Sequence, residues 1–132
     1  MLARGPILTI SQRQTLVSPC THSLEVVGAG TNINYLIPVS GLLQEVRIRL
    51  GRPVPFYLDS LSTVYVATSD ASAKKSAWVL RRIVVLTEAV EMGEIEPLHI
   101  NDPDMVADAM TKYLTYAVWI FHTTYLMNIP TF

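Results

Sequence analysis

Between residues 54 and 100 the chain switches between two periodicities, and few folds accommodate the switch. Val79, Ile83, Leu86 and Val90 recur at i, i+4, i+7 and i+11, one apolar stripe along a helix predicted over 72–93. Gly93 closes that helix, and Ile95 to Ile100 reads as a short strand. Ahead of the helix, Val54 to Ser60 reads as a short buried strand that delivers Asp59 at its carboxyl end. The alternation of strand and helix predicts an α/β fold with at least two parallel strands.

The flanking segments extend the alternation. Ile7 to Thr15 alternates loosely and reads as a strand with a polar end. Ser18-Pro19 is a helix-start signal, and the helix it opens is expected to run from about Pro19 to Leu50. A kink or break is expected near Pro38, because an interior proline costs ~3 kcal/mol and a glycine such as Gly28, Gly30 or Gly41 ~1 kcal/mol. Gly51-Arg52-Pro53 is the expected stop. Asn101-Asp102-Pro103-Asp104 reads as the start of a last helix, with Asp102 as N-cap and a stripe of Val106, Met110, Tyr113, Ala117 and Ile120.

The chain has 132 residues, one small domain or a piece of one. Ten Lys+Arg against eleven Asp+Glu give a net charge of −1, which excludes a chain-wide polybasic nucleic-acid binder and demands a local patch. Lys74, Lys75, Arg81 and Arg82 are read as the only such patch, on one helix face with Trp78 between them. That face suits phosphate contacts with an aromatic for stacking, or is simply a solvated face. The single cysteine, Cys20, excludes an intramolecular disulfide framework and a Cys-rich zinc site, and is expected as a buried thiol.

After Lys112 no charged residue follows through Phe132. The expected organisation is a domain over 1–112 and an apolar helix or tail over 113–132. The tail is either a packed helix or, approaching the ~20 residues of a membrane span, a membrane contact. Tyr113, Tyr116, Trp119, Phe121 and Tyr125 are expected in a core or interface, and His22 and His122 have no ligand partners at metal spacing. No secretory signal is read at the N-terminus, so an intracellular setting is expected.

Three acids stand where chemistry could use them: Glu25 in the first turns of the first helix, Asp59 at a strand end, and Asp108 early in the last helix. Asp108 lies roughly 200° around from Val106 and is expected to point away from the packing stripe. Strand carboxyl ends and nearby helix starts converge on one edge of a parallel sheet, where carboxylates could hold Mg²⁺. The plainer readings are a helix N-terminus complemented by Glu25, a turn started by Asp59-Ser60, and an Asp108–Lys112 pair at i, i+4.

Four stretches occur in a telling order: Thr21-His22-Ser23-Leu24-Glu25, Phe56-Tyr57-Leu58-Asp59-Ser60, Leu98-His99-Ile100 and Ala107-Asp108-Ala109-Met110-Thr111-Lys112. The set resembles the ribonuclease H region at the end of the Pol polyprotein of copia-type LTR retrotransposons, over roughly residues 5–128. The resemblance implies a partial ribonuclease H-like α/β fold, a short central sheet with flanking helices. It implies two-metal hydrolysis of RNA in RNA–DNA hybrids, with Glu25, Asp59 and Asp108 matching the second, third and fourth carboxylates and Mg²⁺ as cofactor. His99 matches a histidine that assists product release. Lys74, Lys75, Trp78, Arg81 and Arg82 would then contact the hybrid.

The chain departs from that pattern in one respect above all. The first carboxylate of the family, an Asp on the first strand, has no counterpart before Glu25, and two strands are expected to be missing. Impaired activity is the expectation, with a protein partner completing the sheet. The alternative expectations are a recruited, non-catalytic structural subunit of a larger, membrane-associated assembly, or an unselected remnant.

Overall fold

The computed structural model describes residues 6–12, 20–69 and 77–129, without the side chains of Ala77 and Trp78. The chain divides into two compact units, Gln14–Ile100 and Met1–Arg13 with Asn101–Phe132. The larger unit contains helix α1 (Thr21–Glu45), strand β1 (Val54–Leu58), helices α2 (Leu61–Thr68) and α3 (Ala77–Glu91), and strand β2 (Ile95–His99). The smaller contains two 3₁₀ turns, Asp102–Asp104 and Val106–Met110, and helix α4 (Tyr116–Leu126). The molecule is a mixed α/β protein, a short parallel sheet with helices.

β1 and β2 pair in parallel, from Val54 opposite Ile95 to Leu58 opposite His99. The ladder continues one bond past each end: Val54 N donates to the Glu94 carbonyl at 2.9 Å, and Ile100 N to the Leu58 carbonyl at 2.9 Å. The predicted parallel pair is therefore present. Residues 6–12, expected to open a strand, form none; Ile7, Leu8 and Ile10 are exposed, and the sheet holds only β1 and β2 among the described residues. Their alternation is too loose to bury one face. The rest of that expected strand, and the helix start at Ser18-Pro19, lie outside the described residues.

The core of the larger unit is built from Val26, Ala29 and Ile33 of α1, Val66 and Ala67 of α2, Val79, Ile83, Leu86 and Ala89 of α3, and Ile95 of β2. The α3 stripe thus turns inward as its spacing requires. α1 meets α3 closely: a Cβ on Gly30 would lie 3.0 Å from both the Cβ and the carbonyl oxygen of Arg82. The glycine counted as a helix weakness is what lets the two backbones approach.

α1 does not break at Pro38, which lies inside it. Proline removes the hydrogen bond to the carbonyl four residues back, here Asn34, and both residues are exposed, so water can take the bond's place. The helix ends at Glu45, short of the expected Leu50, and Arg47 rather than Gly51 turns the chain out of it. Arg47 has φ 63, its N–H donates to the Gln44 carbonyl at 2.9 Å, and Ile48 N donates to the Leu43 carbonyl at 2.8 Å. This is the Schellman ending with an arginine in its left-handed position. α3 ends the same way on Gly93 (φ 67), and α4 on Asn128 (φ 52).

The last helix also starts later than expected. Asn101, not Asp102, precedes the first 3₁₀ turn, and no helix connects Asp102 to Tyr116. Short i→i+3 bonds, such as Asp108 N to the Met105 carbonyl at 3.1 Å, wind this stretch too tightly to continue as one α-helix. α4 is eleven residues, about 16 Å at 1.5 Å per residue. Among the described residues α1 is the one helix long and apolar enough to cross a membrane, and its Val26, Ala29 and Ile33 lie in the core.

Candidate functional site

The carboxyl edge of the parallel pair collects most of the chemistry in the larger unit. Asp59 follows β1 directly and is half-buried. His99 ends β2 in register with Leu58, one residue before Asp59, and is exposed. Ser60 then caps α2, its Oγ accepting from the Thr63 N–H at 3.3 Å. Capping of this kind is worth about 1 kcal/mol. It turns the chain immediately after Asp59 and fixes the carboxylate at the strand–helix junction.

α1 reaches the same edge through a side-chain chain: Ser60 Oγ lies 2.9 Å from Ser62 Oγ, which lies 2.8 Å from His22 Nδ1. Glu25, half-buried, follows His22 by three residues, so the two share a face of the first turns of α1. Asp59 and His99 thus stand at the ends of neighbouring strands, and Glu25 lies on the helix tied to the Ser60–Ser62 turn through His22. His22 was missed as a participant, because its partner lies 40 residues away and nothing in the local pattern announces it. Cys20, expected buried, is exposed at the N-cap of α1, with Sγ 3.0 Å from Ser23 Oγ.

Asp108 belongs to the smaller unit and does not point outward as its helical phase suggested. It is 7% exposed, within the turn Val106–Met110, and Lys112 Nζ donates to its Oδ2 at 2.9 Å. The reason is the backbone: no α-helix runs from Val106 to Ile120, so the packing stripe against which its direction was judged is absent. The Lys112 backbone N–H also bonds the Asp108 carbonyl at 2.9 Å, which brings the i+4 lysine over the carboxylate.

Within each unit no three His, Cys, Asp or Glu side chains gather closely enough to hold a metal, among the described residues. Glu25 and Asp59 supply hard oxygen donors that suit Mg²⁺, but two carboxylates do not make a two-ion site. The larger unit by itself does not fit an ion pair.

Of the predicted basic face, Lys74, Lys75 and the Trp78 side chain lie outside the described residues. Arg81 is exposed on α3, whereas Arg82 is half-buried with its backbone against Gly30. The two arginines are therefore not equivalent. A second concentration of positive charge, Arg47, Arg49 and Arg52, lies between elements, not on a helix, so no helical spacing signals it. Arg52 forms an ion pair with Glu94, which ties the start of β1 to the start of β2.

Comparison with known proteins agrees with the ordered motifs at a coarse level. No family model matches the chain and no solved structure matches it. The retrovirus-related Pol polyprotein from transposon RE1 of Arabidopsis thaliana is 24% identical over 114 residues, covering 86% of this chain and 8% of the relative. The corresponding polyprotein from transposon RE2 of the same plant is 23% identical over 114 residues, with the same shares. The chain thus spans 8% of the length of these relatives. Its distant homologues are retrovirus-related Pol polyproteins of Arabidopsis transposons, which supports a retrotransposon Pol origin.

Proposed function

We propose that the chain is the ribonuclease H region of a copia-type Pol polyprotein, whose inherited chemistry is hydrolysis of the RNA strand of an RNA–DNA hybrid. The observation that supports this reading is the placement of Asp59 and His99 at the carboxyl end of a parallel β–α–β unit, with the Glu25-bearing helix tied to the same turn through His22 and Ser62. Open α/β sheets bind their ligands at that edge. In this reading Glu25 and Asp59 contribute oxygen ligands to Mg²⁺, which would activate water and stabilise the leaving oxygen. By the resemblance Asp108 would match the family's fourth carboxylate; within its own unit its Oδ2 accepts from the Lys112 ammonium, which an ion there would have to displace. In this reading the family's first carboxylate would come from a strand beside β1, which a partner segment would supply, and slow cleavage by these residues alone is expected.

The experiment is binding and cleavage of a labelled RNA–DNA hybrid by the full chain. Binding in EDTA is expected to be several-fold tighter for hybrid than for duplex DNA; equal affinity overturns the reading. With Mg²⁺ or Mn²⁺, cleavage is expected to be slow and to vanish in Asp59→Asn. Cleavage that survives Asp59→Asn would remove Asp59 from the site. Hybrid binding with no cleavage under any of these conditions is the result that the non-catalytic alternative, a recruited structural subunit, requires.

A further inference from the structure

The acidic edge leaves unused the positive charge at the other end of the sheet. Arg47 occupies the left-handed position of the α1 ending, with φ 63, where glycine fits without steric cost. The equivalent positions of α3 and α4 hold Gly93 and Asn128, the residue types that tolerate it. An arginine there is conformationally disfavoured, and an observed backbone outlier of this kind is a starting point for a functional reading. Burial alternates through the segment that follows. Arg47 is exposed, Ile48 half-buried, Arg49 exposed and Leu50 half-buried, so both arginines are open to solvent. Arg52 is engaged by Glu94, whereas among the described residues no carboxylate pairs with Arg47 or Arg49.

We propose that Arg47 and Arg49 form a contact site for the phosphodiester backbone of a nucleic-acid strand, at the amino ends of β1 and β2. The guanidinium fork matches phosphate oxygens in pairs, and two such groups two residues apart suit successive phosphates. The proposal rests on the hybrid-binding reading above. It competes with a purely structural role, since cations at a helix carboxyl terminus also complement the helix dipole.

The test is fluorescence anisotropy of a labelled RNA–DNA hybrid with the full chain, in EDTA, across a salt series. The double variant Arg47→Gly with Arg49→Gln keeps a residue that suits the left-handed position. It is expected to weaken hybrid binding about 10-fold at low salt and to reduce the slope of log affinity against log salt by roughly 2, near 0.9 per phosphate contact. Its urea midpoint is expected to hold or rise. An unchanged affinity with a lowered midpoint assigns the arginines to the helix dipole and overturns the proposal. Lost binding to phosphatidylserine vesicles with unchanged hybrid affinity overturns it in favour of a membrane surface. Arg81→Gln is the comparison: if it alone weakens hybrid binding, the contact lies on α3 and the proposal fails. Should the wild-type chain not bind hybrid, the parent reading falls; should it bind and the double variant bind equally well, only this inference falls.

Discussion

α3 and α4 are both rich in apolar residues, and they distribute them in opposite ways. α3 turns Val79, Ile83 and Leu86 into the core and leaves Arg81, Glu88 and Glu91 outside. α4 exposes Tyr116, Trp119, Ile120, Phe121 and Tyr125, while its one fully buried residue is His122. Neither imidazole nitrogen of His122 has a hydrogen-bond partner among the described residues. The ring meets Phe121 edge-on with centroids 5.5 Å apart. The aromatic residues expected in a core or interface are thus at the surface. In α3 the pattern decides which side packs, because only one side is apolar. α4 is apolar nearly all round, so its pattern does not choose a side, and a helix of that composition ordinarily belongs to a larger body.

Substitutions on the two helices can break or sharpen this contrast. The largest effect is expected for Leu86→Ala, at a position 0% exposed, with a loss of about 2–5 kcal/mol in urea unfolding. Ile120→Ala on α4 is expected to cost less, about 1 kcal/mol, since the residue is already 40% exposed. Equal losses at the two sites would dissolve the contrast. Next is Gly30→Ala, where the new methyl meets Arg82 at 3.0 Å; a loss of about 1–3 kcal/mol is expected. Gly41→Ala, with nothing within 4 Å, is its control and is expected to gain about 0.5–1 kcal/mol by the same measurement.

Replacing His122 by Leu is expected to stabilise the protein by about 1–2 kcal/mol, because two buried polar atoms without partners are removed. A lower thermal midpoint would show instead that the imidazole is the better fit. A smaller effect is expected for Arg47→Gly, a gain of about 0.5–1 kcal/mol from relieving the left-handed arginine. Asn128→Gly, at the same motif position of α4, is expected to gain less, since asparagine tolerates that backbone.

What could be read from residues alone follows from where each signal resides. β1, β2 and α3 were legible because period, length and the terminal Gly93 agree. α2 was not: Asp59-Ser60 reads as a turn, and Thr63, Val64 and Val66 are β-branched, so only the Ser60 cap on Thr63 N–H reveals a helix. The three helix endings make the same point, because Gly93 announces one, while Asn128 and Arg47 sit in the same geometry unannounced. Within the site, Asp59 and His99 were legible as strand-end residues. The burial of Asp108 was not, because it depends on a 3₁₀ turn in place of the expected helix. The tie from His22 to Ser62 was not, because it joins residues far apart in sequence.

That tie has a directional consequence for the residue beside Asp59. When His22 Nδ1 accepts, Ser62 spends its hydrogen on the ring and Ser60 spends its own on Ser62. When Nδ1 carries a proton, Ser62 receives it as an acceptor and turns its hydrogen toward Ser60. The Ser60 hydroxyl hydrogen is then released to find another acceptor. The choice of tautomer on α1 is thereby relayed through the Ser62 hydroxyl to Ser60, the second residue after β1.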